Sequence, residues 1–306
     1  MLLSIISIAY LCICTGLAST RSISNARRRI SLDMSAYTVI GASGGIAESV
    51  YSKLIDQGLG VSVILTSKPY SPNLIDKTSI YIGNFEKNIV SKGSQTMSID
   101  KLLEGSIVIV SDDSGDERLV GKIEKDGTNE AEKAINKVIS ILPKNVKSII
   151  CAHKASDGSN KFNLFRSNPS AAYKTWCQQN NTPFLSLQYG QLIGGIVGCE
   201  PTPFLSMPLA EPEIDPSFVL RSTVLNDVKD NKFASIELCT RESLSQAIVQ
   251  ALSQNILSTT SVSASPSAAA VVEALVISIV GSPLGPAEWK QVFNRISNKD
   301  DAEVSY

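Results

Sequence analysis

Apolar residues along this chain follow two alternating patterns. Short runs rich in β-branched residues recur at 38–40, 61–65, 78–82, 106–110, 148–151 and 184–187, each the length of a buried strand. Between several of them the apolar positions take helical spacing. Ala47, Val50, Tyr51, Leu54 and Ile55 line one face of a predicted helix over 45–57, and Gly58 suits its C-terminal end. Ala131, Ala134, Ile135, Val138, Ile139 and Leu142 do the same over 129–142, stopped by Pro143. A third helix is predicted over 171–179. Strands alternating with helices predict an α/β fold: a Rossmann-like, doubly wound parallel sheet with right-handed crossovers and a small C-terminal lobe.

Beyond residue 187 the pattern loosens. Residues 198–227 hold Pro201, Pro203, Pro208, Pro212 and Pro216 and read as a long irregular insertion, either a cover for a site or a surface excursion. A helix over 241–252, a serine-rich stretch over 258–267, a strand over 271–280 and a helix over 286–296 follow. The tail 297–306 is polar.

The N-terminus reads as an address. Residues 2–18 form a short apolar run ending in small residues, as in a secretory signal peptide, and are marginal in length for a membrane span. Residues 19–31 carry Arg21, Arg27, Arg28 and Arg29, four serines and no acid, as organellar transit peptides do. A signal peptide followed by a transit-like segment resembles the bipartite leader of plastid proteins in algae with complex plastids, although Ser19 and Thr20 stand where such leaders often place an aromatic residue. The organisation expected is a leader over 1–34, a folded domain over 35–296 and the tail. Plastid import is the first expectation, with the secretory pathway or mitochondrion as alternatives and no stable membrane span in the mature chain. On the secretory path, Asn180-Asn181-Thr182 is a glycosylation sequon weakened by Pro183.

Composition narrows the partners. The 306 residues are 43% hydrophobic and 19% charged, with a formal net charge of −1. No global basic field points to nucleic acid or an anionic membrane. Cys12 and Cys14 lie in the leader; Cys151, Cys177, Cys199 and Cys239 are widely spaced, and His153 is the only histidine. Zinc sites want closely spaced ligand pairs, so no metal is expected and the four later cysteines are expected as buried thiols.

The candidate chemistry sits at the first strand-to-helix turn, Gly41-Ala42-Ser43-Gly44-Gly45-Ile46-Ala47. Glycines there let the backbone approach a ligand, and the following helix offers N–H groups to an anion, usually the pyrophosphate of NAD(P) or FAD. The spacing is Gly-x-x-Gly-x-x-Ala, and alanine can serve as the small residue that packs helix on strand. The end of the second strand reads Leu65-Thr66-Ser67-Lys68 with no carboxylate for a ribose 2′-OH. Hydroxyls and a lysine suit a 2′-phosphate, so NADP(H) is favoured and NAD(H) remains possible. Asn84 and Phe85 at the third strand end and Ser111 at the fourth are expected to flank the adenine and nicotinamide sides.

These motifs resemble the atypical short-chain dehydrogenase/reductases, the NmrA-like and plastid Tic62-like group, over about 37–296. The glycine turn is similar to the family's Gly-x-x-Gly-x-x-Gly/Ala, and Ile82-Gly83-Asn84-Phe85 to its third strand, with Asn84 replacing an adenine-reading aspartate. The segments 183–192, 240–247 and 282–289 resemble its later strand, helix start and closing tryptophan segment. The resemblance implies a serine after strand five and a Tyr-x-x-x-Lys pair on the next helix, the lysine making the tyrosine a proton donor. Here Ala152 and His153 stand near the serine's place, the residue four after Tyr173 is Cys177, and Lys174 projects about 100° away round the helix. The usual acid–base pair is absent. His153, Tyr173 and Lys174 remain weak substitutes, His153 because it ends a strand where such sheets do chemistry.

Three functions are compatible with this reading. The first is a dinucleotide-binding sensor or assembly and regulatory factor with a protein partner. The second is an NADPH-dependent reductase of a small or lipophilic carbonyl or quinone, using an unusual proton donor. The third is a structural protein that kept the fold and lost the cofactor.

Overall fold

The computed structural model describes residues 36–69, 74, 79–111, 130–155, 169–193, 220–227, 234, 237–259 and 270–297. The leader 1–34, most of the 198–227 insertion, the serine-rich stretch beyond Thr259 and all but the first residue of the tail lie outside them.

The expected strand–helix alternation is present. β1 (Tyr37–Gly41) runs through a turn into α1 (Ile46–Asp56), followed by β2 (Val61–Leu65) and β3 (Ile80–Asn84). After β3 the chain departs from the expectation. It forms a hairpin, β4 (Ile89–Lys92) and β5 (Gln95–Ser98), and the short α2 (Ile99–Leu103), before β6 (Ile107–Ser111). Gly93, at φ 58°, opens the hairpin turn. α3 (Glu130–Ile141), β7 (Ser148–Lys154), α4 (Pro169–Gln179) and β8 (Phe184–Tyr189) complete the predicted series.

The C-terminal third adds β9 (Gln191–Ile193), β10 (Ser222–Asn226), β11 (Leu238–Thr240), α5 (Arg241–Ser253), α6 (Ile256–Thr259), β12 (Val271–Ile279) and α7 (Pro286–Ser297). β9 and β11 pair as a small parallel sheet of their own, while β10 and β12 join the main sheet. The segment expected to be irregular through 227 thus ends in a strand. Ser222-Thr-Val-Leu-Asn226 has the β-branched content to pair, and proline stops at Pro216.

The main sheet has ten strands in the order β10-β12-β8-β7-β6-β1-β2-β3-β4-β5. The seven from β12 to β3 are parallel, and the strands beyond them at each margin pair antiparallel. The chain winds from β1 through β2 to β3 on one side, then returns to lay β6, β7 and β8 on the other. The winding therefore reverses between β1 and β6, and in such sheets the crevice beyond the carboxyl ends at that point is where ligands bind.

Helices cover both faces because successive strand residues point to opposite sides. Val39, Val63 and Leu65 pack with α1, α5 and α7 through Val50, Leu54, Leu244, Ile248 and Phe293. Ile40, Ile64 and Val110 face the other layer, with α2, α3 and α4 supplying Leu103, Val138, Tyr173 and Cys177. Two covered faces explain why the strands read as apolar runs.

Candidate functional site

The glycine turn leaves β1 at the winding reversal. A Cβ on Gly41 would lie 2.1 Å from Ser111 Oγ and 2.7 Å from Ala47 Cβ. Glycine is thus required for β1, α1 and β6 to meet, and Ser111 Oγ donates to the Ile40 carbonyl at 3.3 Å. Gly44 has φ 75°, a left-handed conformation that favours glycine. α1 begins at Ile46 with Gly45 as a cap that has no side chain to offer.

A side chain that the sequence reading passed over fills this role. Glu48 is fully buried in the first turn of α1, and its Oε1 accepts from the Gly44 N–H at 2.8 Å. The acid stands three residues past the N-cap Gly45 but reaches one residue further back than a capping box would, to the amide before the cap, and its position in the first turn was the available signal. It also places a carboxylate among the donors that an anion would use.

The end of β2 folds against the turn. Thr66 N donates to the Gly41 carbonyl at 3.2 Å. Ser43 Oγ donates to the Ser67 carbonyl at 2.9 Å, and Ser67 Oγ donates to Ser43 Oγ at 2.8 Å. Lys68 is exposed one residue on. The structure therefore brings Gly41, Ser43, Gly44, Gly45, Thr66, Ser67 and Ser111 to one end of the sheet, around the mouth of the crevice. The Ile46 side chain points instead into the core beneath α1.

The third strand contributes less than expected. Asn84 is exposed, but its Oδ1 accepts from the Lys87 N–H at 3.1 Å and closes the turn into β4. Phe85 is buried, and its ring edge fills the space a Cβ on Gly83 would need, 2.8 Å away. Phe85 is a core residue here, because β3 continues into a hairpin whose closing side chain packs on Ile64 and Val90.

The weak catalytic candidates lie in the layer of α3 and α4. His153 is buried, with Nδ1 3.0 Å from the Lys154 carbonyl and Nε2 2.9 Å from Ser186 Oγ. A carbonyl only accepts, so Nδ1 carries the proton and Nε2 accepts from Ser186. Ser170 Oγ lies 3.3 Å behind Ser186. Burial pushes the imidazole down to about 4, outweighing the Lys154 carbonyl and Glu273, which act the other way. Tyr173 is fully buried among Ile149, Cys151 and Phe184. Lys174 pairs instead with Glu273 of β12 at 2.7 Å, so tyrosine and lysine face different surroundings.

The thiols are buried as well. Cys151, Cys177 and Cys239 stand outside any disulfide. Burial pushes Cys177 up to about 12 and raises Cys239 further, so neither is a nucleophile at neutral pH. Cys199 lies outside the described residues. In the sequon, Asn180 Nδ2 donates to the Trp176 carbonyl and Thr182 is buried. Among the described residues, no three His, Cys, Asp or Glu side chains gather as a metal site, and no helix is long and apolar enough to cross a membrane.

No family model matches the chain, and no curated protein matches it. Solved structures similar to it include the Bordetella bronchiseptica enzyme WbmH in complex with NAD+, at 10% identity over 87% of this chain and 99% of that one, TM-score 0.42. A UDP-N-acetylglucosamine 4-epimerase from Bacillus cereus is 9% identical over 84% and 83%, TM-score 0.41. Vestitone reductase from alfalfa (Medicago sativa L.) is 14% identical over 71% and 72%, TM-score 0.39. Likeness at this level carries no argument about activity or cofactor; the Rossmann-like α/β assignment rests on the strand order and winding themselves.

Proposed function

We propose that the glycine turn binds a dinucleotide, NADP(H) in preference to NAD(H). In this reading the chain is a protein of the atypical short-chain dehydrogenase/reductase type, acting as a sensor or as an assembly or regulatory factor, with its leader directing it to a plastid. The observation that carries the reading is the place of the turn. Gly41 and Gly44 are required by local geometry, and the turn opens α1 beside β6, where the winding reverses. Ser67 and Lys68 at the adjoining strand end supply a hydroxyl and a cation for a 2′-phosphate, and the segment Leu65–Lys68 itself contains no acid.

The environments of the candidate acids favour binding over turnover. Tyr173 is in the core, Lys174 is paired with Glu273, and His153 is neutral and bonded on both nitrogens. A reductase would need a proton donor in the crevice. Calorimetric titration of NADPH into the protein beginning at Ser35 tests the reading. Saturable binding is expected, and a flat titration at millimolar NADPH would leave only a structural role for the turn.

A further inference from the structure

The side chain that ends β3 offers a hydrogen-bond donor to the mouth of the crevice. β1, β2 and β3 are neighbouring parallel strands, so their carboxyl ends lie side by side. The glycine turn leaves β1, and Ser67, just past β2, is bonded to Ser43 of that turn. Asn84 is the last residue of β3 and is exposed. Leu65 pairs with Ile82, so Ser67 and Asn84 each stand two residues past a paired position. Side chains alternate along a strand, and Ile80 packs in the layer of α1. Asn84 therefore leaves the sheet on the α1 face, the face to which the glycine turn leads.

A dinucleotide laid along these ends has its parts in a fixed order. The helix N-terminus takes the pyrophosphate, and the end of the second strand takes the ribose. The base comes next. The next strand end is that of β3, one strand spacing of about 4.8 Å further out.

The turn after β3 fixes which atom of Asn84 a base would meet. Asn84 Oδ1 accepts from the Lys87 N–H at 3.1 Å. A backbone N–H only donates, so the atom facing it is the oxygen. The exposed amide is left with Nδ2, which carries two hydrogens and cannot accept. Asparagine reads adenine with both amide atoms, the oxygen on N6–H2 and the nitrogen on N7. Here the oxygen holds the turn, and an adenine N6–H2 would meet a second donor. A 6-oxopurine presents O6 and N7 side by side, two acceptors for two hydrogens.

We infer that Asn84 makes the end of β3 a donor subsite for the base, so that a dinucleotide carrying a 6-oxopurine, hypoxanthine or guanine, binds more tightly than its adenine counterpart. The inference rests on the dinucleotide reading and adds the class of base to it. The choice at the ribose is separate, because Ser67 and Lys68 belong to the end of β2.

Asn84→Asp is the informative change. The carboxylate still accepts the Lys87 amide and keeps the turn, but its second oxygen accepts where Nδ2 donated. Calorimetric titration of the full-length protein with NADPH and with reduced nicotinamide hypoxanthine dinucleotide phosphate reads the preference. The hypoxanthine form should bind the parent about fivefold more tightly. Asn84→Asp should reverse the order in favour of NADPH. Asn84→Ser, which keeps an oxygen for the turn and removes the amide, should bring the two affinities together if the aspartate variant unfolds. Equal affinities in the parent, or tighter binding of NADPH, overturn the inference and leave the dinucleotide reading in place. An unchanged ratio in a folded Asn84→Asp or Asn84→Ser protein overturns it as well. A flat titration with both dinucleotides removes the dinucleotide reading and this inference together.

Discussion

The Glu48 carboxylate accepts the Gly44 amide at 2.8 Å from a fully buried position. The chain thus supplies an anion of its own at the turn where a pyrophosphate would bind. A pyrophosphate held at this turn and the Glu48 carboxylate would repel each other. Glu48→Gln keeps an oxygen for the Gly44 amide and removes the charge. We expect NADPH to bind about tenfold more tightly to that variant. Calorimetry on both proteins decides it, and equal affinities would reduce Glu48 to a helix cap.

Gly41→Ala tests the close approach of β1, α1 and β6. The new methyl would meet Ser111 Oγ at 2.1 Å and Ala47 Cβ at 2.7 Å. Overpacking of this kind costs about 1–3 kcal/mol. Urea denaturation should show a loss in that range, partly recovered by Ser111→Ala because Ala47 still crowds the site. A stability within 0.5 kcal/mol of the parent, roughly the scatter of surface changes, would refute the packing account.

Lys68→Ala addresses cofactor preference. Lys68 is exposed, so its attraction to a 2′-phosphate is partly screened by salt. NADPH affinity should fall about fivefold and NADH affinity should stay within about twofold. A parallel fall in both would remove Lys68 from discrimination and return the choice between the two cofactors to other residues.

His153 makes stability depend on pH. Its folded value of about 4 lies below the ordinary 6.5 because the ring is buried, so the unfolded chain binds the extra proton first. The stability associated with the neutral ring is fully present above about pH 6.5 and is lost as pH falls towards 4. Linkage gives a loss of about 2 kcal/mol between pH 7 and pH 5 from this residue. Denaturation curves of the parent and His153→Gln at the two values should differ in slope by that amount. Parallel pH dependences would mean the ring is solvated in the folded protein.

Much of the architecture was legible because the parallel strands are buried on both faces and announce themselves as apolar runs. The glycine turn was legible because its neighbours, β1 and α1, have unambiguous patterns. The β4–β5 hairpin was not: Ile89-Val-Ser-Lys92 and Gln95-Thr-Met-Ser98 are short, half-exposed and mostly polar, and only Gly93 marks the turn. β10 was hidden behind a run of prolines that ends six residues before it. The burial of Phe85 and Tyr173 was not legible for one reason. Sequence places a side chain on an element but does not say which face that element turns to the crevice, and both rings point into the core. Glu48 escaped because a capping acid and an ordinary surface glutamate look alike until burial is known.

The antiparallel strands at the two margins have a bearing on solubility. β5 has four residues, Gln-Thr-Met-Ser, and β10 has five, Ser-Thr-Val-Leu-Asn. Among the described residues the marginal strands cover Leu275–Ile279 of β12 and Ile82–Asn84 of β3, so there a stray chain seeking backbone partners meets short strands rich in hydroxyl and amide side chains. Short polar edges of this kind are how sheet proteins resist edge-to-edge aggregation. The added hairpin therefore moves the end of the sheet away from the apolar β3 and leaves a margin that discourages fibre growth.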